Sequence, residues 1–389
     1  MFETSSIEIS QSALKKNVRF LKRHIGPDVV FSSVIKGNAY GHGIKLWVPL
    51  AESCGVRHFA TFDAGEAYRA HQSRTTDSKI MIMGDVDNDD LRWAIENDIS
   101  FYIFDVDRLE TALKVAKQLK LHAHIHLELE TGLHRTGLKN SDLRQALSMI
   151  LRNNEYFVVE GVCTHLSGAE SINNYYRIKN QLACFQEHIK ILKRRKSFSF
   201  RYRHTACSAA ALTYPETIMD MVRIGIAQYG FWPSKETWMN YQRMKEGSTT
   251  KRLKDPFRRV MRWKSRIMSI KTVDRGEFVG YGTSYQTSRK ETLATVPVGY
   301  YHGFSRSLSN LGYVLVNGRR ASVVGMVNMN MIMIDVTDIK TAKKGDEVIL
   351  IGKQKNSQIS VSSFSDLTRN LNYEVLTRLP SEIPRVVVE

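Results

Sequence analysis

Cysteine and proline are scarce in this 389-residue chain, with four and eight copies. The cysteines, Cys54, Cys163, Cys184 and Cys207, show no paired spacing. Neither a disulfide framework nor a zinc motif is therefore expected to organise the fold. No stretch reaches the roughly 18 uncharged apolar residues that a membrane span needs. The opening Met1-Phe2-Glu3-Thr4-Ser5 lacks the basic and apolar regions of a signal peptide, so a soluble cytoplasmic protein is expected. Acidic side chains are also outnumbered: 39 Asp and Glu stand against 56 Lys and Arg, leaving a net charge of +17. That excess raises nucleic acid as a partner. The basic residues are spread out, however, and dense only at Lys190–Lys196 and Lys251–Lys264. No zinc finger, RNA-binding signature or basic-region zipper accompanies them, so neither nucleic acid nor membrane is expected as a partner. A content of 42% hydrophobic and 24% charged residues is that of a globular protein, and the length calls for more than one small module.

What is present is a rhythm. Up to about residue 235, short apolar runs alternate with segments of helical period. Strands are expected at Val30–Ile35, His58–Thr61, Lys79–Met83, Ser100–Phe104, His122–Leu129, Phe157–Cys163, Ser199–His204 and Val222–Ala227. Helices are expected between most of them, including Gln11–His24, Ile44–Cys54, Ala64–Gln72, Val106–Leu119, Ser141–Leu151 and Ser171–Lys193. Alternation implies right-handed crossovers and a parallel sheet, and eight strands in about 200 residues is the count of a (β/α)8 TIM-type barrel. A doubly wound open sheet is the alternative, but the first strand lacks a G-x-G-x-x-G turn. Residues 236–258, polar and basic with Gly-Ser-Thr-Thr at 247–250, read as a linker or insertion. Residues 259–389 read as a separate, mostly β domain. Its short runs are Ser265–Val273, Phe278–Tyr281, Thr292–Val298, Gly312–Val316, Ala321–Val324, Met331–Val336 and Glu347–Ile351, with a hairpin turn at Asn317-Gly318.

In a barrel, chemistry sits at the C-terminal ends of the strands. Lys36 follows the first strand in Lys36-Gly37-Asn38-Ala39-Tyr40-Gly41-His42-Gly43. A lysine there is costly to desolvate and suits a Schiff-base amine; the plainer alternative is a lysine snorkelling from a strand end. His165 follows strand six, His204 and Ser208 follow strand seven, and strand eight carries Arg223, Gly225 and Ile226. The last two strands of a barrel often build a phosphate site, which Ser208, Gly225 and Ile226 fit. On strand five, His122, His124, His126, Glu128 and Glu130 share one face by period two. They raise a metal-dependent hydrolase as an alternative, or else core and outer-face histidines. The final strand offers Arg223 where a metal site would want an aspartate, and no metal is expected.

These residues, in this order, resemble the alanine racemase family of pyridoxal phosphate (PLP) enzymes over essentially the whole chain. Lys36-Gly37-Asn38-Ala39-Tyr40-Gly41-His42-Gly43 is similar to the family's K-A-N-A-Y-G-H-G. Glu130-Thr131-Gly132-Leu133-His134-Arg135-Thr136-Gly137 resembles D-T-G-M-x-R-x-G, and Arg223-Ile224-Gly225-Ile226-Ala227-Gln228-Tyr229-Gly230 resembles R-P-G-I-x-x-Y-G. Lys264-Ser265-Arg266-Ile267, Gly280-Tyr281-Gly282 and Pro297-Val298-Gly299-Tyr300 match in the β half. The resemblance implies that Lys36 carries PLP and acts as one base, with Tyr281 as the opposite base on the other face of the substrate. It implies a homodimer in which Tyr281 serves the partner's site. Tyr40, Ser208, Gly225 and Ile226 would hold the phosphate, His165 would flank the cofactor ring, and Arg223 would face the pyridine nitrogen. Arg135 and the Met329 backbone amide would orient the substrate carboxylate.

The implied activity is interconversion of L-alanine and D-alanine for peptidoglycan. Departures from the pattern are Glu128 where the family commonly has a carbamylated lysine, Asn328-Met329-Asn330 for C-M-D, Ile224 for a proline, Cys207 for an asparagine, and Ser381 for a tyrosine that narrows the substrate pocket. The last widens the expected substrate range to serine. A related decarboxylase would need a cysteine and an aspartate in the β half, yet the last cysteine is Cys207.

Overall fold

A computed structural model describes residues 3–195, 197–246, 253–368 and 372–389. The Gly-Ser-Thr-Thr stretch at 247–250 and the basic residues Lys196 and Lys251 lie outside the described residues. The chain forms two compact units, one of residues 13–36 and 47–258, the other of residues 1–12, 37–46 and 259–389.

The first unit is a parallel eight-stranded barrel with strands in the spatial order of the sequence: Val30–Val34, His58–Thr61, Lys79–Ile82, Ser100–Ile103, Ala123–Glu128, Phe157–Cys163, Tyr202–His204 and Met221–Ile224. The last strand pairs back onto the first, with Val30 opposite Met221 and Ser33 opposite Ile224. Between strands seven and eight the seam closes through two backbone bonds, Asp220 N to Arg203 O at 3.1 Å and Arg223 N to Ala206 O at 3.0 Å. The Asp220 carboxylate reinforces it, accepting from Arg203 N, Nε and Nη2 at 2.7, 2.8 and 2.9 Å. Most expected strand bounds hold to within a residue or two, because strands buried on both faces read as continuous apolar runs. The helices have equally local causes. Val106–Leu119 is capped by the Asp105 carboxylate accepting from Arg108 N, and Ala64–Ser73 by Asp63 accepting from Glu66 N. A helix at Asn88–Glu96, capped by Asp87, is not among the segments named above, its polar first turn diluting the apolar period. In the segment expected as a linker, Lys235–Glu246 is helical. Tyr241 packs on Trp232 and Phe20 at ring distances of 5.2 and 5.9 Å, so this stretch joins the aromatic packing of the barrel unit.

The second unit is built on a long, mostly antiparallel sheet. Its order is Ser269–Val273, Glu291–Val296, Ile332–Asp335, Arg319–Val324, Tyr313–Val316, Glu347–Gln354, Met261–Arg266, Ser5–Ser10 and Arg385–Val388. The division at residues 1–235 and 259–389 is thus not the division by contact. Ser5–Ser10 pairs antiparallel with Met261–Arg266 and parallel with Arg385–Val388, which carries the N-terminus into the β unit. Two β expectations differ. Ser265–Val273 is two strands, broken after Arg266. Phe278–Tyr281 is not a strand: it belongs to a loop tied by Val279 N to Tyr285 O at 3.0 Å, with Gly280 and Gly282 at φ +75° and +71°.

The barrel seam gives a direct test. Asp220→Ala removes three accepted bonds and is expected to cost about 1–3 kcal/mol, read as a lower urea midpoint at unchanged slope.

Candidate active site

The first barrel strand ends at Val34, and the chain then does something rare. Gly37, Asn38, Ala39, Tyr40 and Gly41 all have positive φ, between +50° and +77°. Gly41 N bonds to Gly37 O at 2.9 Å and Gly43 N to Asn38 O at 2.9 Å. This is one turn of left-handed helix, which costs roughly 1–2 kcal/mol for each residue bearing a Cβ. Within the β unit the turn is held from the C-terminal tail. Arg385 donates to Gly41 O through Nε at 3.2 Å and Nη2 at 3.0 Å, and to the carbonyls of Leu379, Pro380 and Ile383. A Cβ on Gly41 would lie 2.0 Å from Leu376 O. Tyr40 ends the turn, buried, its ring 6.0 Å from that of Tyr373. Strain of this kind persists only where its surroundings fix it, and it clusters at functional sites.

Lys36 itself belongs to the barrel unit. Burial depresses its amine, and the nearby charges of Arg135 and Arg223 depress it further, against the pull of Glu66. Around the same mouth stands His165, whose pKa burial, with Arg223, Arg135 and Lys36 beside it, pushes down to about 3. His165 is therefore a neutral imidazole near neutral pH. Ser208, the first residue of the buried helix Ser208–Thr213 after strand seven, accepts from Gly225 N at 2.9 Å and Ala227 N at 3.4 Å. The hydroxyl, backed by the backbone at 225–227, forms a small cradle suited to a phosphate.

Arg223 is buried without a carboxylate against it. Its Nη1 donates to His204 O at 2.8 Å and to His204 Nδ1 at 2.6 Å, and its Nη2 donates to Thr164 O and Thr205 O at 2.9 and 3.1 Å. A guanidinium can only donate, so His204 Nδ1 accepts and the proton of its neutral ring sits on Nε2. That proton is then donated to His126 Nδ1, 3.0 Å away. Burial lowers both histidines well below the usual range, with Arg223 adding to it. The strand-five histidines thus divide. His126 lies in the barrel interior, His124 sits partly exposed between Asp98 and Glu160 at 2.9 Å each, and His122 is exposed. A register shift after Ile125 interrupts the period-two face. Among the described residues, no group of three or more His, Cys, Asp or Glu is placed to hold a metal ion.

Arg135 is exposed on the loop after strand five. Glu130 shapes that loop by accepting from Gly132 N and from His134 N at 2.8 Å. Glu128 ends the strand, buried; desolvation raises its carboxyl, opposed by a hydrogen bond from Thr136 and by Arg223 and Arg135. In the β unit, Tyr281 is 74% exposed and Met329 is 54% exposed. Lys36, Arg135, His165, Ser208, Arg223, Gly225 and Ile226 lie in the barrel unit, while Tyr40, Tyr281 and Met329 lie in the β unit. Sequence reasoning passed over Gln181, Thr131 and Thr164, which join the loops of this mouth. The signal for Gln181 was a polar residue within the buried stripe Ile178, Leu182 and Phe185.

Residues 9–233 match the alanine racemase N-terminal domain and residues 260–387 the alanine racemase C-terminal domain. The chain belongs to the alanine racemase family. It is 35% identical to an alanine racemase of Leptospira interrogans across 99% of this chain and 96% of that one. Among solved alanine racemases, that of a D-cycloserine-producing Streptomyces lavendulae superposes with a TM-score of 0.89 at 28% identity, covering 100% of this chain and 98% of that one. That of Bacillus anthracis, solved with bound L-Ala-P, superposes at 0.87 with 28% identity, covering 100% and 96%. Family membership makes the chain an isomerase on a barrel and β-sheet scaffold, and no helix among the described residues is long and apolar enough to cross a membrane.

Two measurements check the electrostatics and the turn. The buried histidines His42, His58 and His165 have folded values of about 3, 4 and 3 against an ordinary 6.5. Below pH 6.5 the unfolded chain takes up protons that the folded chain refuses. Stability present above that pH is therefore expected to fall progressively toward pH 3, seen as a melting temperature lower at pH 5 than at pH 7. His58→Leu should flatten the slope. Gly41→Ala, at φ +77° and against Leu376 O, is expected to cost more than about 2 kcal/mol, by denaturant titration.

Proposed function

We propose that this protein interconverts L-alanine and D-alanine with PLP carried on Lys36, in the cytoplasm, supplying D-alanine for peptidoglycan. The observation that carries this is Lys36 itself: an amine at a barrel mouth, depressed by burial and two arginines, in a barrel unit that also holds a buried Ser208 hydroxyl backed by Gly225 and Ala227 N–H groups. That set fits the cofactor. The amine suits its aldehyde, and the hydroxyl and backbone at 225–226 suit its phosphate, to which the family resemblance adds the Tyr40 phenol. Arg223 suits the pyridine nitrogen. When bound, PLP supplies an electron sink for charge that develops at the substrate α-carbon.

The chain's own residues supply the rest. The Lys36 amine, depressed by burial, takes or returns the α-proton on one face. The Tyr281 phenol does so on the other. Arg223, unable to release a proton, would hold the pyridine nitrogen as a hydrogen-bond donor. Neutral His165 flanks the ring without adding positive charge. Arg135 pairs with the substrate carboxylate, helped by the Met329 backbone amide, and Glu128 lies on the Arg135 side of strand five. Tyr281 is read as serving the site of a second copy in a homodimer. Its exposure, shared with Phe278, Tyr300, Tyr301 and Leu311 of the same unit, supports a surface that a partner covers. Serine is a second substrate on this reading, since Ser381 stands where the family has a tyrosine that narrows the substrate pocket.

A yellow preparation whose colour borohydride discharges, with the label mapped to Lys36, is the expected result. Lys36→Ala should lose racemisation, and Tyr281→Phe should lower kcat about 10²- to 10⁴-fold. A colourless, fully active protein would overturn the proposal. Undetectable turnover of L-serine beside L-alanine would remove only the wider range.

A further inference from the structure

The residues assigned to the reaction leave Gln181 unused, yet it is 1% exposed in the middle of the helix Tyr175–Lys193. Its partners fix the orientation of its amide. The Ser167 N–H can only donate, so Gln181 Oε1 accepts it at 2.8 Å. The His165 carbonyl can only accept, so Nε2 donates to it at 3.0 Å. The other Nε2 hydrogen goes to Thr131 Oγ1 at 3.3 Å. Thr164 Oγ1 donates to Leu129 O at 2.9 Å, which leaves Thr131 to donate to Thr164 Oγ1 at 2.8 Å. The bonds therefore run one way, from Gln181 through Thr131 and Thr164 to Leu129, and every polar hydrogen in the chain is used. From the same helix, Arg177 donates to Gly132 O at 2.9 Å. A single buried amide thus ties the segment that carries His165 to the loop that carries Arg135.

We infer that Gln181 is a positioning residue that sets the spacing between Arg135 and His165, and so between the group that meets the substrate carboxylate and the group that flanks the cofactor. The inference rests on the roles proposed above for those two residues. Thr131→Val cuts only the arm toward Arg135, whereas Gln181→Met keeps the volume and cuts both arms.

On the PLP-loaded enzyme with L-alanine, Thr131→Val is expected to raise KM about tenfold with little change in kcat. Gln181→Met should raise KM, lower kcat and reduce kcat/KM by about 10- to 100-fold. Titration of the apoprotein with PLP should show weaker binding in Gln181→Met and unchanged binding in Thr131→Val. In an Arg135→Lys background, Gln181→Met should cost little further in KM, because coupled residues are not additive. Gln181→Glu keeps the acceptor for Ser167 and loses donors. It serves if the methionine variant does not fold, and its KM defect should ease as the pH falls and the carboxyl gains a proton. Additive effects with Arg135→Lys, or parent-like KM and PLP binding in a folded Gln181 variant, overturn the inference. A parent enzyme without racemisation, or without PLP fixed to Lys36 by borohydride, would instead overturn the reading beneath it.

Discussion

Arg223 is the group on which the barrel's mouth depends. A buried guanidinium with no carboxylate against it stands only because acceptors meet its hydrogens: two backbone carbonyls after strands six and seven, the His204 carbonyl, and one ring nitrogen. Three of those four acceptors belong to His204 and Thr205, at the end of the strand that meets strand eight at the seam, so satisfying the charge also draws the seam together. The same charge sets the tautomers of His204 and His126, and with burial it keeps His165 neutral and Lys36 depressed. Gly161 completes the arrangement, since a Cβ there would fall 2.4 Å from His126 Nδ1 and 3.1 Å from His204 Nε2.

The left-handed turn after Lys36 follows a second logic. Its conformation is opposed by three residues with side chains, so it must be imposed by what surrounds it. Glycines at 37, 41 and 43 lower the steric cost at the ends, and Arg385 supplies the hold. An arginine spent wholly on carbonyls has a pKa driven down to about 10 by burial. The net positive charge of the chain therefore includes cations that do structural work inside it, Arg223 and Arg385 among them, as well as cations in solvent.

Much of this was legible in the sequence because it is local. Strands such as Phe157–Cys163 and helices such as Val106–Leu119 announce themselves by apolar period and capping aspartates, and the motif residues fall at strand ends. What was hidden is what depends on distant partners. Nothing local in Ser5–Ser10 says that it pairs with Met261–Arg266 and Arg385–Val388. Ala39 and Tyr40 give no hint of positive φ, and the glycine pair around Tyr281 marks a loop where an apolar run suggested a strand. The shared face of His122 to Glu130 failed for a similar reason, since a register shift against the neighbouring strand is a property of the pair. Gln181 showed only as a polar intruder in a buried stripe, with its partners 14 to 50 positions away.

The pairing of the first strand with the last also has a consequence for synthesis. Ser5–Ser10 leaves the ribosome well before its parallel neighbour Arg385–Val388. The barrel segments, complete by residue 258, have all their strand partners while the remaining third of the chain is still being made. The N-terminal strand waits meanwhile with an unpaired edge, the kind of exposed backbone that invites pairing with another chain. Ribosome pausing ahead of Arg385–Val388 would lengthen that wait, and chaperone demand should concentrate there.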